Sequence, residues 1–388
     1  MTTIFWLCLF LVFYTYIGYG LVLYLLVWTK RKFGHKGCNA VNTLDTPDVT
    51  LMICAYNEEA IVEAKMDNTN ELDYPKDKLH VLWVTDGSTD DTNKKLAQYP
   101  QVEVAYSAER KGKTAALKHG IKQVNTDIVI MTDANTMLNK EAISVIVNTM
   151  ADPKVGCVAG EKRVKARDEQ QTAAEGEGLY WKYESFLKRL DSELNSAMGA
   201  AGELCAIRTS LWQDMPDDTL LDDFILSMHI VERGYRIAYT SEAYAMEYGS
   251  ADLHEESKRK RRIAAGGLQS CWRLRSLMNP IKHPLTAFQF VSHRVLRWTI
   301  TPVALFAIVP INVVLVMTKA GNIYTTIWIL QILFYAAALA GSILASHGRK
   351  SRLLYVPYYF LFMNVNVFKG LVYLVKKNNG TWEKAKRA

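Results

Sequence analysis

Three long runs without a charged residue constrain the fold of this chain most strongly. They cover residues 4–29, 298–318 and 323–346, and each is close to the roughly 20 residues that a helix needs to cross a bilayer. A much longer stretch without such a run separates the first from the second. The pattern therefore predicts one large domain outside the membrane, between an N-terminal anchor and a C-terminal membrane region.

The first run is interpreted as a permanent anchor rather than a signal peptide. A signal peptide places basic residues before an apolar core of about 7–15 residues, whereas here Lys30, Arg31, Lys32 and Lys36 follow the run. Because basic flanks stay on the inner side of a membrane, the N-terminus is expected outside and the large domain in the cytoplasm. This predicts a multi-pass protein of the inner (plasma) membrane.

The region after the large domain is basic and then apolar. Residues 258–262 read KRKRR, which suits an amphipathic helix on an anionic membrane surface, although an ordinary solvated charge run would look the same. Residues 288–298 are interpreted as a further interfacial element. Polar and charged residues inside 353–375 are expensive in lipid, so this segment is predicted to be re-entrant or interfacial. The expected units are the N-terminal anchor (1–29), the large cytoplasmic domain (30–256), the amphipathic interfacial helices (257–297) and the C-terminal membrane region with its basic tail (298–388).

Within the large domain, short β-branched runs alternate with stretches of helical periodicity. Strands are predicted at 49–54, 81–85, 102–105, 128–132 and 155–159, and helices at 58–66, 91–98, 114–124 and 140–150. This alternation predicts an α/β domain with a mostly parallel, doubly wound sheet. Ligands of such sheets bind at the carboxyl ends of the strands.

Those strand ends carry polar turns at residues 56–59, 86–91 and 133–135. Each turn alone is explained equally well as a helix cap. Asp133 and Asn135 also bring two oxygen-bearing side chains to one point, as Mg²⁺ sites shared with substrate phosphates do. Asp222 and Asp223 precede a predicted helix, where they either complement its dipole or supply a general base.

The sequence Lys111-Gly112-Lys113-Thr114 does not form a Walker A loop. That loop needs a glycine five residues before Gly112, and Ser107 stands there. Either lysine remains a candidate for contacting a phosphate.

Taken in order, six segments resemble the motifs of glycosyltransferase family 2, which includes cellulose, chitin and hyaluronan synthases. They are 54–59 (CAYNEE), 85–90 (TDGSTD), 111–113 (KGK), 132–136 (TDANT), 199–208 (GAAGELCAIR) and 221–223 (LDD). Residues 292–298 (SHRVLRW) and 380–384 (GTWEK) are similar to the bacterial exopolysaccharide and poly-N-acetylglucosamine synthase branch.

The resemblance implies a GT-A fold, a nucleotide diphosphate-sugar donor, usually UDP-linked, and an inverting transfer that uses Mg²⁺ or Mn²⁺. Carried over residue by residue, it implies a nucleotide pocket, a metal site, an acceptor segment and a base. The donor side comprises Ala55, Tyr56, Asn57, Glu58, Asp86, Lys113, Asp133 and Arg262; the metal ligands are Asp133 and Asn135; the acceptor segment is Gly202, Glu203 and Leu204; and the base is Asp223, beside Asp222.

The chain departs from the family pattern at two places. Asn135 stands where relatives commonly have a second aspartate of the metal motif. Residues 259–263 (RKRRI) replace the Q-x-x-R-W motif of processive synthases; Arg262 matches the arginine, but the glutamine and the tryptophan are absent. The missing tryptophan weakens the case for processive synthesis.

The expected function is sugar transfer to a glycan acceptor in exopolysaccharide synthesis and secretion. The alternatives are addition of a single sugar to a lipid-linked acceptor and, in another class, a non-catalytic membrane-tethered subunit that binds nucleotide-sugar. The sequence does not indicate whether accessory subunits take part. Nucleic acid is not an expected partner, because the formal charge of +7 clusters beside membrane segments without an interleaved aromatic platform.

Overall fold

The computed structural model describes residues 1–33, 46–165, 172–248, 253–347 and 351–376. The motif at 380–384 and the flanking Lys36 lie outside these residues. The chain begins with one long helix that comprises α1 (Thr2–Phe13), a π-helical turn (Tyr14–Gly18) and α2 (Tyr19–Phe33). The predicted anchor is thus a single helix that ends just after its basic residues.

The large domain is built on an eight-stranded mixed sheet with the order β3-β2-β1-β4-β7-β6-β8-β5. The strands are β1 (Val49–Ala55), β2 (Leu79–Asp86), β3 (Glu103–Ser107), β4 (Ile128–Asp133), β5 (Met137–Leu138), β6 (Val155–Lys165), β7 (Cys205–Arg208) and β8 (Arg236–Tyr248). Strands β1 to β4 pair in parallel, whereas β7 runs antiparallel to both of its neighbours. The predicted α/β sheet is confirmed.

Helices cover both faces of this sheet. They are α3 (Val62–Asn70), α4 (Thr92–Leu96), α5 (Lys113–Ile121), α6 (Ala142–Met150), α7 (Thr172–Leu194) and α8 (Asp222–Glu232). Successive side chains of β1 enter opposite cores: Met52 and Cys54 pack on one face, and Leu51 and Ile53 on the other. A strand buried on both faces explains why its sequence is a continuous apolar run.

The predicted start of the helix after β1 is wrong by several residues. Helix α3 begins at Val62 rather than at residue 58. The preceding turn is held in a non-helical form because Asn57 has a positive φ of 53° and its Oδ1 accepts a hydrogen bond from Thr89 N at 2.8 Å. This turn is therefore fastened to the turn that follows β2.

The C-terminal part is mainly helical in its described residues. It contains α9 (Leu253–Arg273), a 3₁₀ turn (Arg275–Met278), α10 (Pro284–Phe290), a π-helical turn (Val291–Val295), α11 (Leu296–Trp298), α12 (Ile300–Met317), α13 (Asn322–Ser346) and α14 (Arg352–Val375). Within the described residues, four helices are long and apolar enough to cross a membrane: Thr2–Phe33, Ile300–Met317, Asn322–Ser346 and Leu353–Val375.

Residues 353–375 form one continuous helix, α14, and were predicted to follow a re-entrant or interfacial path. The polar residues that suggested it have partners in neighbouring helices: Asn364 Oδ1 accepts a hydrogen bond from the Tyr16 hydroxyl at 2.7 Å, and Asn366 Oδ1 accepts one from Ser257 at 3.0 Å. Helix α14 packs along α9, where a Cβ on Gly370 would lie 2.7 Å from the Ala264 Cβ. Pairing with other helices is what makes such residues tolerable at this position.

Candidate active site

A cavity of about 1270 Å³ lies between the carboxyl ends of β1 and β4 and helices α9 and α14. Nine of the residues that the sequence analysis selected line it together: Glu58, Lys113, Asp133, Asn135, Gly202, Glu203, Asp222, Asp223 and Arg262. The structure therefore brings the candidate base, the candidate metal ligands and the acceptor segment to one place. They come from segments far apart in the sequence.

The other five selected residues, Ala55, Tyr56, Asn57, Asp86 and Leu204, do not line the cavity. Asp86 is buried, and its carboxylate accepts hydrogen bonds from Lys111 N at 2.9 Å and Gly112 N at 2.7 Å. The aspartate thus holds the loop that leads into Lys113. The side chains of Ala55 and Leu204 lie in the apolar core, away from the cavity.

The turn after β1 is built as a rigid corner. Asn57 N donates to Ser88 Oγ at 3.1 Å, and Glu58 N donates to Thr92 Oγ1 at 2.9 Å. The Arg110 guanidinium lies over the Tyr56 ring, with Cζ 3.9 Å from the ring centroid. A flat, cationic surface next to two linked turns is suited to a nucleotide.

Lys113, Asp133 and Asp223 meet around Gly202. Lys113 Nζ is 2.6 Å from Asp133 Oδ1, and Gly202 N donates a hydrogen bond to Asp223 Oδ2 at 2.6 Å. A Cβ at position 202 would lie 3.0 Å from Lys113 Nζ and 3.4 Å from Asp223 Oδ2. Glycine at this position lets the backbone of the acceptor segment approach the charged groups closely.

Asp223 has the proton affinity expected of a base. Burial raises its pKa, and the neighbouring charge of Asp222 raises it further, to about 6, against the opposing effect of Lys113. Asp223 lies in the first turn of helix α8, and its Oδ1 accepts a hydrogen bond from Phe224 N at 2.8 Å. A carboxylate whose pKa lies near neutral takes up a proton more readily than an ordinary aspartate and is still ionised at pH 7.

Glu203 is in the opposite electrostatic state. Burial alone would raise its pKa, but the ion pair with Lys162 outweighs burial and lowers the pKa to about 2. Lys162 also pairs with Glu247 and lies over the Trp181 ring, 5.0 Å from its centroid. Glu203 is therefore a fixed anion in the wall and a poor proton acceptor.

The donor atoms near Asp133 suit a metal ion only in part. Among the described residues, no group of three or more His, Cys, Asp or Glu side chains is placed to hold an ion. Asp133 and Asn135 provide one carboxylate and one amide, and Lys113 occupies one carboxylate oxygen. Such a pair suits a hard cation such as Mg²⁺ or Mn²⁺ that takes its other ligands from substrate phosphates and water.

Sequence reasoning missed the wall opposite the sheet. It is lined by aromatic side chains from the first helix, α7, α11 and α14, namely Tyr16, Tyr180, Trp181, Trp298, Tyr355 and Tyr359. Arg294 and Arg297 also line it. Aromatic residues in apolar runs look like ordinary membrane residues, so only the assembled helices identify them as part of the site.

A buried ionic cluster forms part of this wall and extends behind it. We define it by its residues Glu184, Asp191, His293, Arg294 and Arg297. The Glu184 carboxylate is 2.5 Å from Arg294, 3.2 Å from Arg297 and 3.3 Å from His293. Asp191 Oδ2 is 2.6 Å from His293 Nδ1. Residues 288–298, which were predicted to form an interfacial element, place these basic side chains inside the protein.

The cluster contacts the stretch of chain that leads into the acceptor segment. Arg294 Nε donates to Met198 O at 2.9 Å, immediately before Gly199. Arg294 Cζ also lies 5.7 Å from the Phe224 ring, next to Asp223 in the chain. The position of the acceptor segment is thus linked to the C-terminal helices.

Comparison with known proteins agrees with this geometry. Residues 47–266 match the family model described as "Glycosyltransferase like family 2". The chain belongs to this family. The match covers the whole sheet, the site residues that the sequence predicted and the part of α9 that contains Arg262.

Curated members of the family include polysaccharide synthases. The poly-beta-1,6-N-acetyl-D-glucosamine synthase of Staphylococcus aureus (strain COL) is 27% identical over 261 residues, which cover 64% of this chain and 62% of the relative. The chain therefore matches about three fifths of that relative's length. A Bacillus subtilis (strain 168) protein named "Probable glycosyltransferase YdaM" is 32% identical over 131 residues, covering 32% of this chain and 31% of that protein.

A solved structure resembles nearly the entire chain. The mannosyltransferase PcManGT from Pyrobaculum calidifontis, in complex with GDP-Man and Mn²⁺, superposes with a TM-score of 0.72 at 21% identity, covering 97% of this chain and 99% of that chain. At this identity the likeness concerns the fold, and it confirms the predicted GT-A architecture with membrane-type helices at both ends.

Proposed function

We propose that this protein is an inverting glycosyltransferase that moves a sugar from a nucleotide diphosphate-sugar to an acceptor held at the membrane side of the cavity. The observation that carries the proposal is the position of Asp223. Its carboxylate, with a pKa of about 6, shares one cavity with Lys113 and Asp133 at the carboxyl ends of the strands. A base and a cationic site are the two groups that this reaction requires.

In the proposed reaction, Asp223 takes the proton of an acceptor hydroxyl as its oxygen attacks the anomeric carbon of the donor. The bond from that carbon to the diphosphate oxygen breaks in the same displacement, so the anomeric configuration inverts. Lys113 and Arg262 stabilise the charge on the departing diphosphate. A divalent ion bound at Asp133 and Asn135 would add further neutralisation of that charge.

The two linked turns provide the nucleotide side of the site. Tyr56 with Arg110, together with the backbone at Asn57 and Glu58, forms the surface against which the base and ribose would lie. Asp86 would act by holding the 111–112 loop, and so Lys113, in place. A UDP-sugar is the proposed donor, as the family resemblance implies.

The proposed location is the inner face of a plasma membrane, with the sheet domain in the cytoplasm. Support comes from the four apolar helices and from the basic residues Lys30, Arg31 and Lys32, which directly follow the first of them. The proposed units are the anchor (1–29), the sheet domain (30–256), the basic helices (257–297) and the membrane region (298–388).

The proposed acceptor is either a growing exopolysaccharide or a lipid-linked sugar. A growing exopolysaccharide is suggested by the polysaccharide synthases among the relatives. A lipid-linked acceptor is favoured by Ile263, which stands in the cavity wall in place of the family tryptophan, and by the extension of the cavity to α14. A non-catalytic nucleotide-sugar-binding subunit is disfavoured, because it would not need Asp223 and the acceptor segment beside the donor site.

The test is incorporation of labelled sugar by the purified full-length protein in lipid bilayers, with Mg²⁺ or Mn²⁺. The panel comprises UDP-, GDP- and dTDP-sugars, with lipid extract as a source of acceptor. Transfer from one donor supports the proposal, and the size of the product separates polymer extension from single addition. Nucleotide binding without transfer from any donor would support the non-catalytic alternative instead.

A further inference from the structure

A second, apolar groove lies beside the catalytic cavity, between α13 and α14. It has a volume of about 810 Å³ and is lined by Phe334, Leu353, Val356, Pro357 and Phe360. All five side chains are apolar, and both helices are among the four that are long and apolar enough to cross a membrane. The groove therefore offers no hydrogen-bond partner to a polar chain such as a polysaccharide, whose hydroxyl groups would be costly to bury there.

The groove and the cavity share part of their lining. Val356 and Phe360 belong to both. The Phe360 ring centroid is 6.1 Å from that of Phe334 on the groove side and 4.7 Å from that of Tyr16 on the cavity side. A molecule with a hydrocarbon chain in the groove would thus have its other end in the cavity.

Arg297 lines the catalytic cavity beside Tyr16, whose ring contacts Phe360 of the groove. Its guanidinium carbon is 5.9 Å from the centroid of the Tyr16 ring and of the Tyr183 ring. The side chain is buried, and its Nε has no hydrogen-bond acceptor among the described residues. A buried guanidinium nitrogen without an acceptor is costly unless a ligand supplies one.

The charge around Arg297 favours an anionic ligand. Glu184 is shared by Arg294, Arg297 and His293, so the two guanidinium groups outnumber the one carboxylate that they contact. Phosphate matches the planar donor arrangement of arginine especially well. Arg294, one helical turn before Arg297, contacts the segment that leads to Gly202 and Asp223.

We infer that the acceptor is a membrane lipid with a phosphate in its head group, whose hydrocarbon chain lies in the groove between α13 and α14 and whose phosphate binds Arg297. A sugar carried beyond that phosphate would present its hydroxyl to Asp223. This inference rests on the proposed glycosyltransferase function and names its acceptor class. It also assigns roles to the groove and to Arg297 that catalysis at Asp223 does not by itself require.

The test measures binding of a fluorescent polyprenyl monophosphate to the full-length protein in detergent, without donor. The matching polyprenol, which lacks the phosphate, and inorganic phosphate are the comparison probes. We expect the polyprenol to bind at least about tenfold more weakly than the monophosphate, as expected for a lost charge-assisted hydrogen bond, and inorganic phosphate not to displace it. Equal binding of the two lipids, or displacement by inorganic phosphate, would overturn the inference.

Two variants locate the lipid. Arg297→Gln is expected to weaken monophosphate binding about tenfold and to leave polyprenol binding unchanged. The double substitution Leu353→Trp with Val356→Trp, which crowds the groove, is expected to weaken the binding of both lipids. Its matched control is Leu339→Trp with Ile343→Trp, at exposed positions of α13 outside the groove, which should bind as the wild type does.

UDP binding, measured on the same samples, separates this inference from the proposed function. If the groove variant binds both UDP and the lipid as the wild type does, the lipid site is contradicted. The transferase proposal is not affected by that result. If the wild-type protein does not bind UDP, the proposal of a UDP-sugar transferase is contradicted. Should Arg297→Gln fail to fold, the groove variant and its control decide the question alone.

Discussion

Two groups of charges face each other across the cavity, and their electrostatics differ. On the sheet side, Asp222 stands beside Asp223, and burial together with this like charge raises the pKa of Asp223 to about 6. On the membrane side, burial alone would raise the pKa of Glu184, but Arg294, His293 and Arg297 lower it well below its ordinary value. Asp223 therefore binds a proton more readily than an ordinary aspartate, whereas Glu184 stays ionised.

This contrast separates a carboxylate that can accept a proton from one that holds other groups in position. A carboxylate beside a like charge is poised to accept a proton, and Asp223 lies next to the acceptor segment. A carboxylate surrounded by cations is fixed in its ionised form, and Glu184 holds α7 and the 291–298 segment together.

Asp223→Asn should lower the transfer rate by about 1000-fold, because it removes the general base. Binding of UDP should remain, since the asparagine keeps the shape of the side chain. Transfer of labelled sugar and equilibrium UDP binding measure the two effects. Asp217→Asn, at an exposed aspartate nearby in the chain, is the control and should transfer at the wild-type rate; equal rates for both variants would contradict the role of Asp223.

Asp133→Ala should lower the transfer rate by about 100-fold, because it removes the carboxylate that pairs with Lys113 and would bind the metal ion. It should also abolish any increase of UDP binding on addition of Mn²⁺. The control is Asp127→Ala, an exposed aspartate at the opposite end of the same strand. A Mn²⁺ effect that persists in Asp133→Ala would mean that the ion binds elsewhere.

Arg294→Gln should destabilise the fold by about 3 kcal/mol, as expected when one partner of a buried ion pair is removed. The hydrogen bond to Met198 O is lost at the same time. Chemical denaturation in detergent measures the change, with Arg275→Gln as a control at an exposed position. Similar unfolding midpoints for the two variants would show that the membrane-side cluster does not hold the structure together.

The sheet and the donor side of the site could be predicted from the sequence because their signals are local. Apolar runs predicted β2 and β4, and Asp86 and Asp133 stand at the carboxyl ends of these two strands. The role of Asp223 could not be decided from its spacing, since two acidic residues at a helix start also suit the helix dipole. The family resemblance selected it, and the structure then placed it beside Gly202 and Lys113.

The membrane-side cluster could not be predicted, because its charges come from distant segments. Glu184 and Asp191 belong to α7, and His293, Arg294 and Arg297 belong to the stretch before α12. In sequence, such basic residues beside an apolar run indicate a membrane surface. Only the packing of α7 against this stretch shows that they form ion pairs inside the protein. The strands β5, β7 and β8 were also not predicted from the sequence.

The most direct test of the central claim is the pH dependence of transfer, measured as kcat/KM for the wild type and for Asp222→Asn. Asp223 must be ionised to accept a proton, so the wild-type rate should fall about tenfold per pH unit below a midpoint near 6. Removing the like charge of Asp222 lowers the pKa of Asp223, so the midpoint in the variant should move to lower pH. A wild-type rate that is constant through this range, or a midpoint that stays in place in Asp222→Asn, would contradict the assignment of Asp223 as the base.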